Sequence, residues 1–169
     1  MRLYSLRKLK DSEVAQGLSL LHANLRWLEE RGIHQWSADF IKRAYPEYQK
    51  RGENFAFEHE NQIVAVLSIH TRAPSYWQEV LNAIDYRFLS KLAVDVRLRG
   101  QGFGRRALQA AQQFLRDEKV PDVFIEVSHE EGFLVQYYKE LDFVIVDRTD
   151  IAIEGRTYDM VLMKCALGQ

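Results

Sequence analysis

The chain has 169 residues, 47% of them hydrophobic and 28% charged, with a net charge of −1. That length and balance predict one globular domain, residues 1–169, able to bury a core of useful size. The near-neutral total gives no electrostatic bias toward nucleic acid or a membrane surface, and the single Cys165 excludes an internal disulfide or a zinc cluster of cysteines.

The opening residues, Met-Arg-Leu-Tyr-Ser-Leu-Arg-Lys, lack the apolar stretch of a signal peptide, and no run is long enough to span a bilayer. The expectation is a soluble, cytoplasmic protein. Residues 2–9 read as a first strand. Asp11 or Ser12 then offers an N-cap, and Val14, Leu18, Leu21, Leu25 and Leu28 recur at helical spacing up to Gly32, a C′ glycine. Ser37 can cap a second helix through Phe40, Ile41, Ala44 and Tyr45. Pro46 predicts a break or kink near Tyr45, because it removes an N–H donor and clashes with the preceding turn. Asn54–Glu58 and Ile63–Thr71 read as an antiparallel hairpin around Glu60-Asn61-Gln62. Arg72–Arg87 is irregular, with Pro74 inside it.

Phe88–Val96 reads as an apolar strand and Arg105–Lys119 as an amphipathic helix with Leu108, Ala111, Gln112 and Leu115 inward. With the short strand Val123–Val127, these make a βαβ unit with parallel pairing. Gly132–Leu141 follows as a helix and Phe143–Val146 as a strand. Ile151–Leu162 is a last strand region, broken by Glu154-Gly155-Arg156.

The most informative stretch lies between that strand and helix: Arg97-Leu98-Arg99-Gly100-Gln101-Gly102-Phe103-Gly104-Arg105-Arg106. Glycines at alternate positions let the backbone approach a ligand, and a helix N-terminus behind them aims N–H groups and a positive dipole at one point. That is chemistry for phosphate. A Walker loop is excluded, since no Lys-Ser or Lys-Thr follows at the required spacing. Gly102-Phe103-Gly104-Arg105-Arg106-Ala107 fits the dinucleotide pattern G-x-G-x-x-A, with Glu126 about 20 residues on. Against it, three residues separate strand from glycines, and the tail after Glu126 is short for such a sheet.

Arg99, Gly102 and Gly104 also satisfy Arg-x-x-Gly-x-Gly, and here the chain resembles the GNAT (Gcn5-related) N-acetyltransferases. A second signature agrees: Leu134, Tyr138 and Phe143 match Asn-x-x-Leu/Ala-x-x-x-Tyr-x-x-x-Gly-Phe, while Glu131 replaces Asn and Asp142 replaces Gly. The resemblance implies a mixed, mostly antiparallel sheet of about six or seven strands flanked by helices, around a central parallel βαβ unit. It implies acetyl-CoA as co-substrate, direct attack by an amine in a ternary complex, and a small-molecule or protein amino group as acceptor. It makes Arg99, Gly100, Gln101, Gly102, Phe103, Gly104 and Arg105 the diphosphate-binding residues. Leu92, Ala93 and Val94 become a strand edge that pairs with pantetheine and splays from the next strand, with an N–H near Val94 on the thioester oxygen. Tyr138 is the implied acid for the leaving thiolate.

The base is less legible. His70 has a suitable ordinary pKa and is the first candidate; Glu126, Glu131 or a water chain are alternatives. His34 and Trp36 could line an acceptor pocket, although a core position suits Trp36 better. Cys165 reads as a small core residue. The departures at Glu131 and Asp142 leave open a non-catalytic acyl-CoA-binding or sensing domain of the same fold. No nucleic-acid, membrane or metal partner is expected, and a homodimer is compatible with the sequence.

Overall fold

The structure, a computed structural model, describes residues 3–82, 84–128 and 132–168. Seven strands form one mixed sheet in the order β1-β2-β3-β4-β5-β7-β6: β1 Tyr4–Lys8, β2 Asn54–His59, β3 Gln62–His70, β4 Tyr86–Val94, β5 Asp122–Ser128, β6 Val144–Ile153 and β7 Arg156–Ala166. The β1–β2, β2–β3, β5–β7 and β6–β7 pairs are antiparallel, and β4–β5 is parallel. Four helices accompany them: α1 Val14–Glu29, α2 Ala38–Lys50, α3 Phe103–Asp117 and α4 Gly132–Lys139. The mixed, mostly antiparallel sheet and the βαβ unit are those the sequence predicts.

The chain divides into two compact units, residues 1–69 with 91–111 and residues 70–90 with 112–169. In the first, α1 and α2 bury Leu21, Leu25, Ile41 and Tyr45 with Leu9, Ala56, Val66 and Ala93. The stop of α1 follows from Gly32: at φ 72° it lets its own N–H reach Glu29 O and the Ile33 N–H reach Leu28 O, both at 3.0 Å. Ser37 caps α2 as expected, its Oγ accepting from the Phe40 N–H at 3.1 Å.

Pro46 does not break α2. The helix continues through it to Lys50. Buried Ile41 and Tyr45 anchor one side, and the carbonyl that Pro46 leaves without a helical donor belongs to exposed Lys42. The β2–β3 turn carries Glu60 and Asn61 at φ 50° and 63°, the doubly positive geometry of a tight hairpin.

In the second unit, Ala73, Trp77, Leu81, Tyr86, Phe88, Phe124 and Leu162 form the buried cluster. The segment read as irregular holds a 3-10 turn, Ser75–Trp77. Several boundaries differ from expectation, three of them instructively. Strand β4 runs Tyr86–Val94 instead of Phe88–Val96, because Val96–Leu98 coils into a 3-10 turn capped by Asp95. Helix α3 begins at Phe103 instead of Arg105. The strand expected at Phe143–Val146 continues to Ile153, and Glu154-Gly155, at φ 52° and 78°, turn it into β7. What read as an interruption of one strand is the turn of a long hairpin.

Candidate functional site

The glycine stretch adopts the geometry its composition requires. Gly100 and Gly102 stand at φ 77° and 81°, where L side chains are strained. A Cβ built on either meets nothing within 4 Å, so the loop surface there is open. Helix α3 starts at Phe103, with Gly104 in its first turn. Gln101 is exposed, Arg105 half-buried and Arg106 exposed. The Phe103 ring is turned away from that surface. It is buried beside Tyr4 and His59, at centroid distances of 6.4 and 5.3 Å, and pins the helix start to the sheet. The Arg106 guanidinium lies over the Tyr4 ring at 5.1 Å.

Arg99 is held between an indole and an amide. Its guanidinium carbon sits 3.6 Å from the Trp27 ring centroid, and Arg31 stacks on the same indole at 3.7 Å. Its Nη2 donates to Asn24 Oδ1. Its Nε is buried and has no hydrogen-bond partner among the described residues. Burial, then repulsion from Arg31, lower its pKa from the usual arginine value.

Asn24 links this cation to the sheet. Its Nδ2 donates to Val94 O at 2.7 Å and to Leu20 O at 2.9 Å. One buried amide thus fixes both the end of β4 and the residue that opens the loop. Leu92 and Val94 are half-buried, and Ala93 points into the core. Just upstream, Lys91 holds φ 55°, and its buried ammonium lies 4.4 Å from the Trp36 ring centroid. Trp36 packs against the core, as expected, and His34 is exposed.

In the second unit, Tyr138 is half-buried near the end of α4, its ring against Tyr137 at 5.4 Å and Phe143 at 5.7 Å. Asp142 takes the position where glycine is usual and does adopt φ 69°, a conformation Asp tolerates better than most side chains. Glu131 lies outside the described residues. His70 is buried at the end of β3, and its Nε2 is 2.6 Å from Ser90 Oγ. Cys165 is buried, which pushes its thiol pKa up, and receives a hydrogen bond from Gln112 Nε2.

Glu126 on β5 has a more specific setting. Tyr76 Oη donates to its two oxygens at 2.8 and 2.7 Å, and Trp77 Nε1 donates to Oε2 at 2.7 Å. Sequence reasoning offered Glu126 as one base among several but missed both donors. It also missed Asn24 and Trp27. Asn24 carried one usable signal, an amide inside an apolar helical stripe.

No group of three or more His, Cys, Asp or Glu among the described residues could hold a metal ion. Nor is any helix among them long and apolar enough to cross a membrane.

Residues 19–143 match the acetyltransferase (GNAT) family. The chain is 27% identical over 141 residues to the uncharacterized N-acetyltransferase YesJ of Bacillus subtilis (strain 168), an alignment covering 79% of this chain and 77% of that protein. Its fold is similar to that of a GNAT-family acetyltransferase from Listeria monocytogenes, with a TM-score of 0.78 at 17% identity, covering 96% and 94% of the two chains. It is also similar to yncA of Salmonella typhimurium, solved with its cofactor acetyl-CoA, with a TM-score of 0.66 at 13% identity over 99% and 96% of the chains. At such identities the two structures speak for the fold alone.

Proposed function

This chain belongs to the acetyltransferase (GNAT) family, and from that premise we propose that it transfers an acetyl group from acetyl-CoA to a primary amine. The observation that carries the reading is the loop of residues 99–104. Two positive-φ glycines, each with open space where a side chain would stand, lead directly into the start of α3. Beside them, Arg99 stacks on Trp27 and keeps a buried Nε that no described residue satisfies. These features fit a diphosphate.

When bound, acetyl-CoA supplies the acyl carbon to which the amine nitrogen bonds as the C–S bond breaks. In this reading the N–H groups of residues 100–105 and the Arg99 guanidinium hold the diphosphate. The backbone of Leu92, Ala93 and Val94, steadied through Asn24, binds the pantetheine arm as an added strand would. Tyr138 Oη gives a proton to the departing sulfur and recovers one from the acylated nitrogen. The proton that frees the amine lone pair goes to Glu126. His70 carries this role less well, because its ring is buried and bonded to Ser90.

Two measurements test the proposal. Calorimetry with acetyl-CoA should show saturable binding, weakened by about 10–100-fold in Gly102→Val, the cost of forcing a branched residue to φ 81°. A thiol-release assay over a panel of amines should show turnover that falls in Tyr138→Phe while acetyl-CoA still binds. Binding without turnover on any amine would favour the sensing domain; no binding would overturn both readings.

A further inference from the structure

Arg31 stands just past the end of α1, outside both sequence signatures of the cofactor site, yet one ring joins it to the glycine loop. Its guanidinium carbon and that of Arg99 lie 3.7 and 3.6 Å from the Trp27 ring centroid. Two planar guanidiniums cannot share one face at those distances, so the indole is sandwiched between them. One arginine would satisfy the ring. The second brings a like charge to within the thickness of one indole. Burial, then this repulsion, lower the Arg99 pKa.

A cation pair built for stability would bring carboxylates with it, as Arg7 has Glu13 and Glu58. Among the described residues Arg99 has no ion pair. Arg31 reaches only Glu30, at 3.8 Å, and that carboxylate is largely exposed. Arg31 is nonetheless fixed in place, because its Nη1 donates to Trp27 O at 2.9 Å. The arrangement holds two positive charges at a set spacing and supplies no protein anion between them. One of the two is the arginine beside the open glycines, with its buried Nε unsatisfied by any described residue. A ligand with two linked negative groups matches that spacing of charge.

We propose that Arg31 is a second diphosphate-binding residue, contributed by the end of α1, and that Trp27 is the positioning residue that spaces it from Arg99. Arg99 and the loop N–H groups take one phosphate, and Arg31 takes the other. The inference rests on the acetyltransferase reading and goes beyond it, by drawing cofactor affinity from a residue that neither signature contains.

The test is calorimetry of the full chain with CoA and with 3′-dephospho-CoA. Arg31→Gln should weaken both ligands about fivefold, with a loss that shrinks as salt rises and a melting temperature that stays unchanged. Arg31→Lys should recover only part of the loss, since an ammonium keeps the charge but not the flat fork that stacks on the ring. Trp27→Leu should weaken binding at least as much as Arg31→Gln. Adding Arg31→Gln to it should then cost less than about twofold, because nothing holds the second cation in place. Wild-type affinity in Arg31→Gln would overturn the proposal and leave the acetyltransferase reading intact. So would a loss confined to CoA, which would put Arg31 on the 3′-phosphate. A wild type that binds neither ligand would overturn the acetyltransferase reading first, and this one with it.

Discussion

Arg7 and Arg99 lie in the same unit, each fastens a turn to its surroundings, and the chain treats them in opposite ways. Arg7 is enclosed by anions: its Nη atoms donate to both oxygens of Glu13 at 2.8 and 2.9 Å, and Nε reaches Glu58 Oε1 at 3.0 Å. Glu13 also accepts from the Lys10 N–H at 2.9 Å, closing the entry to α1. Every donor direction is used and the charge is cancelled. Arg99 has an indole face, one neutral amide and an Nε with no partner among the described residues. A cation meant for structure is neutralised; a cation meant for a ligand is oriented by neutral groups and left charged.

Mutations should separate the two patterns. The largest effect on stability is expected for Arg7→Ala, which leaves Glu13 and Glu58 without their shared donor. We expect a loss of about 2 kcal/mol in denaturant unfolding, with acetyl-CoA affinity unchanged. Asn24→Ala should come next and affect both quantities. Two part-buried carbonyls lose a donor, for about 1 kcal/mol of stability, and the released end of β4 should weaken binding by calorimetry. Arg99→Ala should reverse the Arg7 signature: affinity should fall about tenfold, with a loss that shrinks as salt rises, while the unfolding midpoint hardly moves. If Arg99→Ala unfolds the protein without changing affinity, the contrast between the two arginines fails.

The smallest effect concerns acid. Arg7 holds the Glu13 carboxyl down to about 2, against an ordinary value of about 4.5. A depressed carboxylate stabilises the fold above its unfolded pKa and loses that contribution as pH falls through the folded one. Wild-type stability should therefore drop between about pH 4.5 and pH 2, by about 1 kcal/mol once solvent screening is allowed for. Glu13→Gln should flatten that part of the pH–stability curve.

The sequence was a good guide wherever one residue type has a narrow conformational reason to be present. Gly32, Gly100 and Gly102 stand where a positive φ is required, Ser37 caps a helix, and even Asp142 behaves as a substitute for glycine should. It misled where a local rule met a tertiary anchor. Pro46 penalises a helix that Ile41 and Tyr45 hold by burial. Glu154-Gly155 looked like a flaw in a strand because residues 144–153 show little apolar alternation as an edge strand. The donors of Glu126 were out of reach for another reason. They lie 50 and 49 residues upstream, in a stretch without periodicity, and only the folded sheet puts them beside it.

The order of the strands also has a consequence for biosynthesis. Strand β7, made after β5 and β6, lies between them and hydrogen-bonds to both. As a ribosome extrudes this stretch, the backbone edge of residues 122–128, with its N–H and C=O groups unpaired, must wait until residues 156–166 have emerged. Glu126 is thus delivered to its place late, and a nascent chain arrested before Val161 should be unable to assemble that part of the sheet and should depend on chaperones to stay out of aggregates.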